Sequence, residues 1–306
     1  MKEFWRNLCA FLVVVLMCIV ARQTGERDII FPELAALCIG LWVVPKQVWH
    51  VGKLQLPIIM TLSATIGVLL NQQLPSLNFS ILVLIGFVGV ALASMALGVY
   101  VPPAFAACIL PILTDIRSLN FLWGVLAMSI IVVLGQDMMK LVGIRPQAMP
   151  VYASPKWPNK KVLRRWSMIL ASLLPLVIVS GVAHLPGMLV PPLIVTLVEF
   201  SMSGSGFRTR PWQVLFLLVF ASMLGSFLVL LSHEAGLPIE CGALLAYMIM
   251  LGVFGLFSKS YAPAAAMSLI ALVLPISHLW YWPVEVFISG AYVILVSAFP
   301  YLSRSR

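Results

Sequence analysis

The most polar approach to an apolar segment is a glycine- and arginine-rich stretch in the second half of the chain. Ser203–Gln213 reads S-G-S-G-F-R-T-R-P-W-Q and holds Arg208, Arg210 and Gln213. Arginine side chains carry fixed charge and planar donors that suit an oxyanion. The pattern therefore predicts an anion-binding site, although a basic loop that only sets membrane topology explains it too. The corresponding part of the first half is also basic and holds Lys53 and Gln55.

Prolines followed by small residues could place helix N-termini inside the protein. Pro102 and Pro103 precede a run of alanines, and Pro263 does the same later in the chain. Proline is tolerated in the first turn of a helix, and a helix N-terminus attracts anions. We expect all three prolines to contribute to a binding site. Simple helix initiation is the alternative.

Carboxylates inside apolar segments are the candidates for coupling or charge pairing, because ionisable groups are costly in a membrane. Glu199 is the best candidate and could pair with Arg208 or Arg210, or carry a proton. Glu33 is a second candidate, although Glu33, Glu240 and Glu285 could also reach lipid headgroups from helix ends.

The sequence contains no catalytic or metal-binding motif. The four histidines, His50, His184, His233 and His278, fall in predicted loops at spacings that match no metal motif. The five cysteines form no C-x-x-C pair. We therefore expect no enzyme activity, no metal and no cofactor.

The composition and the apolar runs indicate that these residues lie on or between membrane helices. The chain of 306 residues is 62% hydrophobic and 9% charged, whereas soluble domains carry about 25% charged residues. Apolar runs fall near 8–21, 29–45, 54–70, 79–99, 101–114, 119–138, 164–183, 188–203, 211–232, 238–257, 261–277 and 280–302. Most of these are long enough to span a bilayer. The runs 29–45, 101–114 and 188–203 are short, and the sequence leaves open whether they span or re-enter. The expected fold is an all-α, polytopic transmembrane bundle of about twelve helices.

Basic residues are distributed asymmetrically between the loops. If every run spans and the N-terminus is cytoplasmic, 16 of the 19 Lys and Arg residues lie inside. The net charge of +9 therefore indicates topology and contact with membrane lipids, and not nucleic-acid binding. We expect an integral protein of a bacterial inner (plasma) membrane with both termini in the cytoplasm. A homo-oligomer or a protein partner is also compatible with the sequence.

The two halves of the chain resemble each other. Tyr100–Leu134 aligns with Tyr261–Leu295 at a constant offset of 161 residues, and the glycines Gly67 and Gly225 end matching segments upstream. The sequence predicts a first membrane repeat at 1–138, a basic cytoplasmic linker at 139–163 and a second repeat at 164–306. An even number of helices in each unit makes the repeats parallel and pseudo-symmetric.

These residues also carry a family resemblance. Arg210-Pro211 with Gly225, and Tyr261 to Ala266, are similar to the HPP family of integral membrane proteins, here in tandem duplicate. Val101 and Ala262 stand where that family has histidine. A weaker likeness exists to fusaric-acid-resistance-type exporters. Plant HPP members are associated with nitrite transport, so the resemblance implies a transporter or facilitator of a small anionic solute. A non-transporting membrane subunit, a scaffold or a lipid-handling protein is the alternative.

Overall fold

The computed structural model of the chain describes residues 2–44, 49–146, 160–201, 209–257 and 259–298, and this part of the chain is all-helical. Its α-helices, numbered α1 to α12, are Lys2–Thr24, Glu33–Cys38, Gln55–Gln73, Phe79–Leu97, Pro103–Thr114, Leu119–Leu141, Lys160–Ala183, Pro191–Phe200, Pro211–Glu234, Ile239–Phe257, Ala262–Ile270 and Trp282–Ala298. The expected all-α fold of about twelve helices is confirmed for these residues.

Seven of these helices are long and apolar enough to cross a membrane. They are α1, α3, α4, α6, α7, α9 and α10, each of 19 to 24 residues. Large apolar side chains are exposed on their outer faces, such as Ile58, Trp123 and Leu256. Soluble monomers rarely expose so much apolar surface. The described helices therefore indicate an integral membrane protein.

The short helices form the centre of the bundle. Every residue of α2, α8 and α11 is buried, as are Pro103 to Ile112 of α5. A helix that is apolar on all sides is suited to such a position. A π-helical turn, Ile39–Val43, extends α2. The short apolar runs predicted from the sequence thus become a core that the longer helices surround.

Prolines mark the beginnings of these helices, as expected. Pro103 and Pro191 are the first residues of α5 and α8, Pro263 is the second residue of α11, and Pro32 precedes α2. The run at 261–277 is interrupted, because α11 ends at Ile270 and a second proline, Pro275, follows. The residue before a proline is disfavoured in a helix, which is consistent with the end of helical structure ahead of Pro275.

The two halves of the chain pack in a similar order. Within the first half, α3 packs against α4, α5 and α6, and within the second half, α9 packs against α10, α11 and α12. Between the halves, α1 packs against α10 and α4 against α7, while α2 packs against α11 and α5 against α8. Each central short helix therefore contacts a short helix of the other half.

Two glycines at matching positions of the two halves permit close helix crossings. A Cβ atom on Gly67 of α3 would overlap the carbonyl oxygen of Cys108 on α5. A Cβ atom on Gly225 of α9 would lie 2.6 Å from the carbonyl oxygen of Ser268 on α11. Small residues allow membrane helices to approach each other closely. The glycines that the sequence comparison paired thus have the same packing role in both halves.

Some details differ from the sequence-based expectations. Helix α6 continues to Leu141 and α7 begins at Lys160, so both helices extend into the region predicted as a linker. His233 is in the last turn of α9, and His278 is buried in a short 3-10 turn. The loop predicted around His233 is therefore wrong, because α9 continues through polar residues at the end of its apolar run, whereas His278 does lie in the connection between α11 and α12.

Candidate functional site

Glu199 lies in the last turn of α8, at the junction of the two halves. Its side chain is 4% exposed. One carboxyl oxygen, Oε1, accepts a hydrogen bond of 3.1 Å from the indole Nε1 of Trp49, while Oε2 has no hydrogen-bond partner. The predicted buried carboxyl is thus confirmed, and its observed partner is an indole from the first half of the chain.

Trp49 is positioned by the π-helical turn that extends α2. Its ring packs directly on Gly40, where any larger residue would overlap the indole. The next residue, His50, exchanges two backbone hydrogen bonds with Tyr100, of 3.0 and 2.8 Å. Burial lowers the pKa of His50, which favours the neutral imidazole at pH 7. These contacts hold Trp49 and Tyr100 next to each other.

Two tyrosines connect the beginnings of α5 and α11 to α8. The Tyr100 hydroxyl donates to the carbonyl oxygen of Val198 at 2.6 Å and lies 3.2 Å from the Ser201 hydroxyl. The Tyr261 hydroxyl donates to the Thr196 hydroxyl at 3.0 Å. Tyr261 immediately precedes α11 and Tyr100 lies three residues before α5, and both helices pack against α8.

The predicted prolines lie at the beginnings of these two helices, but their own contribution is limited. Pro102, Pro103 and Pro263 lack backbone N–H groups. The amides of Ala104 and Ala264, which follow them, donate to Val101 and Tyr261 carbonyl oxygens. The N-termini thus provide mainly the partial positive charge of the helix dipole.

Glu33 occupies a different place, at the beginning of α2. It is 1% exposed, and neither carboxyl oxygen has a hydrogen-bond partner. Glu285 is also buried, and its Oε1 lies 3.2 Å from His278 Nε2. These two carboxylates do not reach headgroups, because neighbouring helices cover them. Glu240 is only partly buried.

The predicted basic groups are not gathered around Glu199. Lys53 Nζ pairs with Asp137 Oδ2 at 2.8 Å, and Gln55 Nε2 donates to the Leu97 carbonyl oxygen at 3.2 Å. Arg210 is exposed and Gln213 is partly exposed at the beginning of α9. Arg208 lies outside the described residues.

Lys53 offers a test of whether these outer basic groups act on a solute. The Lys53 side chain is 60% exposed, so replacing it with methionine should change the free energy of unfolding by less than about 1 kcal/mol. Chemical denaturation in detergent would measure this change. If solute flux also stays at the wild-type level, Lys53 has no part in the binding site; a lost flux with unchanged stability would place it there.

Metal ligation has no support in the described part of the chain, where no group of three or more His, Cys, Asp or Glu residues could hold an ion.

Comparison with protein-family models, with curated proteins and with solved structures gives no match for this chain. The likeness to the HPP family therefore remains a resemblance of the residues quoted above.

The sequence singled out Glu199 and the prolines as candidates but gave no indication of Trp49 and Tyr100. Both lie in segments that link apolar runs, where an aromatic residue usually indicates anchoring at the membrane interface. The signal that could have singled out Tyr100 is its match with Tyr261, since each precedes a proline-opened short helix.

Proposed function

We propose that the chain is a multi-pass membrane transporter or facilitator of a small anionic solute, with the junction around Glu199 as its coupling site. The observation that carries the proposal is the buried carboxyl of Glu199, which keeps one unpartnered oxygen on α8, the helix that Tyr100 and Tyr261 connect to the beginnings of α5 and α11. Ionisable groups buried in membrane proteins are functional candidates by default.

The anionic character of the solute is supported by the two helix N-termini. Each contributes partial positive charge, and α5 and α11 come from different halves of the chain. A carboxyl group beside an anion is unfavourable unless it is protonated, so anion binding and proton binding at Glu199 favour each other. Such mutual stabilisation is the basis of proton coupling.

A tandem duplication of one parallel unit is part of the same proposal. The matching helix order, the equivalent glycine crossings and the reciprocal contacts of α2 with α11 and of α5 with α8 support it. Parallel repeats commonly enclose a solute site at their interface. Glu199 lies where the two halves of the chain meet, and the predicted cytoplasmic location of both termini remains part of the proposal.

A flux measurement tests the function. Purified protein would be reconstituted into vesicles that contain a pH-sensitive dye, and gradients of nitrate, chloride and nitrite would be imposed in turn. We expect at least one anion to move protons across the membrane in a protein-dependent manner. Protein-free vesicles correct for the passive leak of nitrous acid.

The Glu199→Gln variant tests the coupling residue. Its amide oxygen can still accept the Trp49 hydrogen bond, but it cannot exchange a proton. We expect anion-linked proton movement to be lost, whereas the exposed Glu234→Gln control should behave as wild type. Proton movement that persists in Glu199→Gln would remove the coupling role. An absence of flux for every anion, with a co-purifying lipid or protein partner, would favour the lipid-handling or subunit function.

A further inference from the structure

A buried arginine lies at the end of the bundle where α1 begins and α6 ends. Arg145 follows α6 and is 1% exposed. Its Nη1 donates to the backbone carbonyl oxygen of Trp42, and its own amide donates to the Met139 carbonyl oxygen at 3.0 Å. These bonds fix the guanidinium against the π-helical turn of the first half.

The other edge of this guanidinium has no partner. Nε and Nη2 are both buried and make no hydrogen bond. Nε and Nη2 form the edge of the guanidinium that can donate two parallel hydrogen bonds to two oxygens of one anion. Unpaired buried donors of a charged group carry a large desolvation cost. A protein that retains such an edge is expected to fill it with a ligand.

No carboxylate of the chain serves as the counterion. All ten Asp and Glu residues lie among the described residues, since the remaining segments contain none. None of the ion pairs among the described residues includes Arg145. The nearest acidic side chain in sequence, Asp137, is already shared by Lys53 and Lys140 at 2.8 and 3.8 Å.

A second arginine adds positive charge within electrostatic range of Arg145. Arg6, in the second turn of α1, also has a buried Nε without a hydrogen-bond partner. Burial and then the charge of Arg6 lower the pKa of Arg145 to about 10, so the group remains charged at neutral pH. Two neighbouring cations without a carboxylate repel each other unless an anion lies between them.

We propose that Arg145 and Arg6 bind a phosphate-type oxyanion at this end of the bundle. The free Nε and Nη2 edge of Arg145 would hold two of its oxygens, and Arg6 would contact another. Arginine suits this chemistry because its planar donors match phosphate geometry. The oxyanion comes either from a lipid headgroup or from free phosphate. The proposal does not depend on the transport function, because the site involves neither Glu199 nor the beginnings of α5 and α11.

Binding can be measured with the full-length protein in detergent. Thermal unfolding would be followed with added inorganic phosphate, with short-chain phosphatidylglycerol and with short-chain phosphatidylcholine, and native mass spectrometry would record retained lipid. A ligand that binds the folded state raises its apparent stability. We expect phosphate or phosphatidylglycerol to raise the unfolding temperature in a saturable manner.

Arg6→Gln is the decisive variant, because Arg6 Nε has no hydrogen bond in the fold and its loss should leave the protein folded. Its apparent affinity for the oxyanion should fall by at least about tenfold. Arg22→Gln, an exposed arginine at the other end of α1, removes the same charge and should bind as wild type. Arg145→Lys, which keeps the charge but loses the paired donors, should weaken binding as well.

Each result decides between the two sources or rejects the site. A shift with free phosphate identifies a soluble oxyanion, whereas a shift only with phosphatidylglycerol identifies an anionic lipid headgroup. No saturable shift with either ligand overturns the proposal, and so does an equal response of Arg6→Gln and Arg22→Gln.

Discussion

Alanine in place of Gly67 should destabilise the protein by about 1–3 kcal/mol or more. The added methyl group would overlap the Cys108 carbonyl oxygen and lie 2.7 Å from Cγ of Pro111. Backbone and proline ring cannot rotate away, so α3 and α5 must separate. The measurement is the free energy of unfolding in detergent, and Gly225→Ala should show the same effect at the crossing of α9 and α11.

Gly252→Ala is the matched control for this prediction. Gly252 is also inside a long helix, but no atom lies within 4 Å of the position that its Cβ would occupy. Alanine favours the helix over glycine by roughly 0.5–1 kcal/mol, so this variant should be as stable as wild type or more stable. Equal stability of Gly67→Ala and Gly252→Ala would show that the α3–α5 crossing is looser than described.

Leucine in place of Asn71 should cost about 2 kcal/mol or more. Asn71 is buried in α3, and its Nδ2 donates to the carbonyl oxygens of Pro111 at 2.6 Å and of Ile116 at 3.0 Å. Both oxygens lie at or just after the end of α5, and the Pro111 oxygen also accepts the Ile116 amide at 3.0 Å. Leucine has a similar size but would remove both amide hydrogen bonds and leave the Ile116 oxygen without this donor, at about 1–3 kcal/mol for a buried polar group.

The neighbouring Gln72 provides the control, because its Nε2 donates at 2.7 Å to the carbonyl oxygen of Arg117 from an exposed position. Water can replace that bond, so Gln72→Leu should change stability by about 0.5 kcal/mol or less. Equal losses in the two variants would mean that burial of the α5 carbonyl oxygens does not determine the effect.

The sequence predicted the helices well because their determinants are local. Apolar runs and prolines are visible within windows of about 20 residues, and Pro103, Pro191 and Pro263 do lie in the first turns of helices. The shortness of α5 and α8 was also predictable, since polar or proline-containing segments limit both runs.

The contacts of the candidate site depend on pairings between distant segments and could not be predicted in this way. Trp49 and Glu199 are 150 residues apart, and Tyr100 and Val198 are 98 residues apart. Arg145 looked like one more basic residue of a cytoplasmic loop, whereas the fold buries it against Trp42. The sequence pattern indicates whether a residue is near a helix end, but only packing determines whether other parts of the chain bury that end.

The contact between α2 and α11 constrains how the protein is made. Helix α11 begins more than two hundred residues after α2 ends, and ribosomes add about 5–20 residues per second. The short helix α2 therefore remains without its final neighbour for roughly 10 s or longer during synthesis. With only six residues, it is too short to span the bilayer as an independent segment while it waits. Until translation reaches the last quarter of the chain, α2 can pack only against its first-half neighbours α1, α5 and α6.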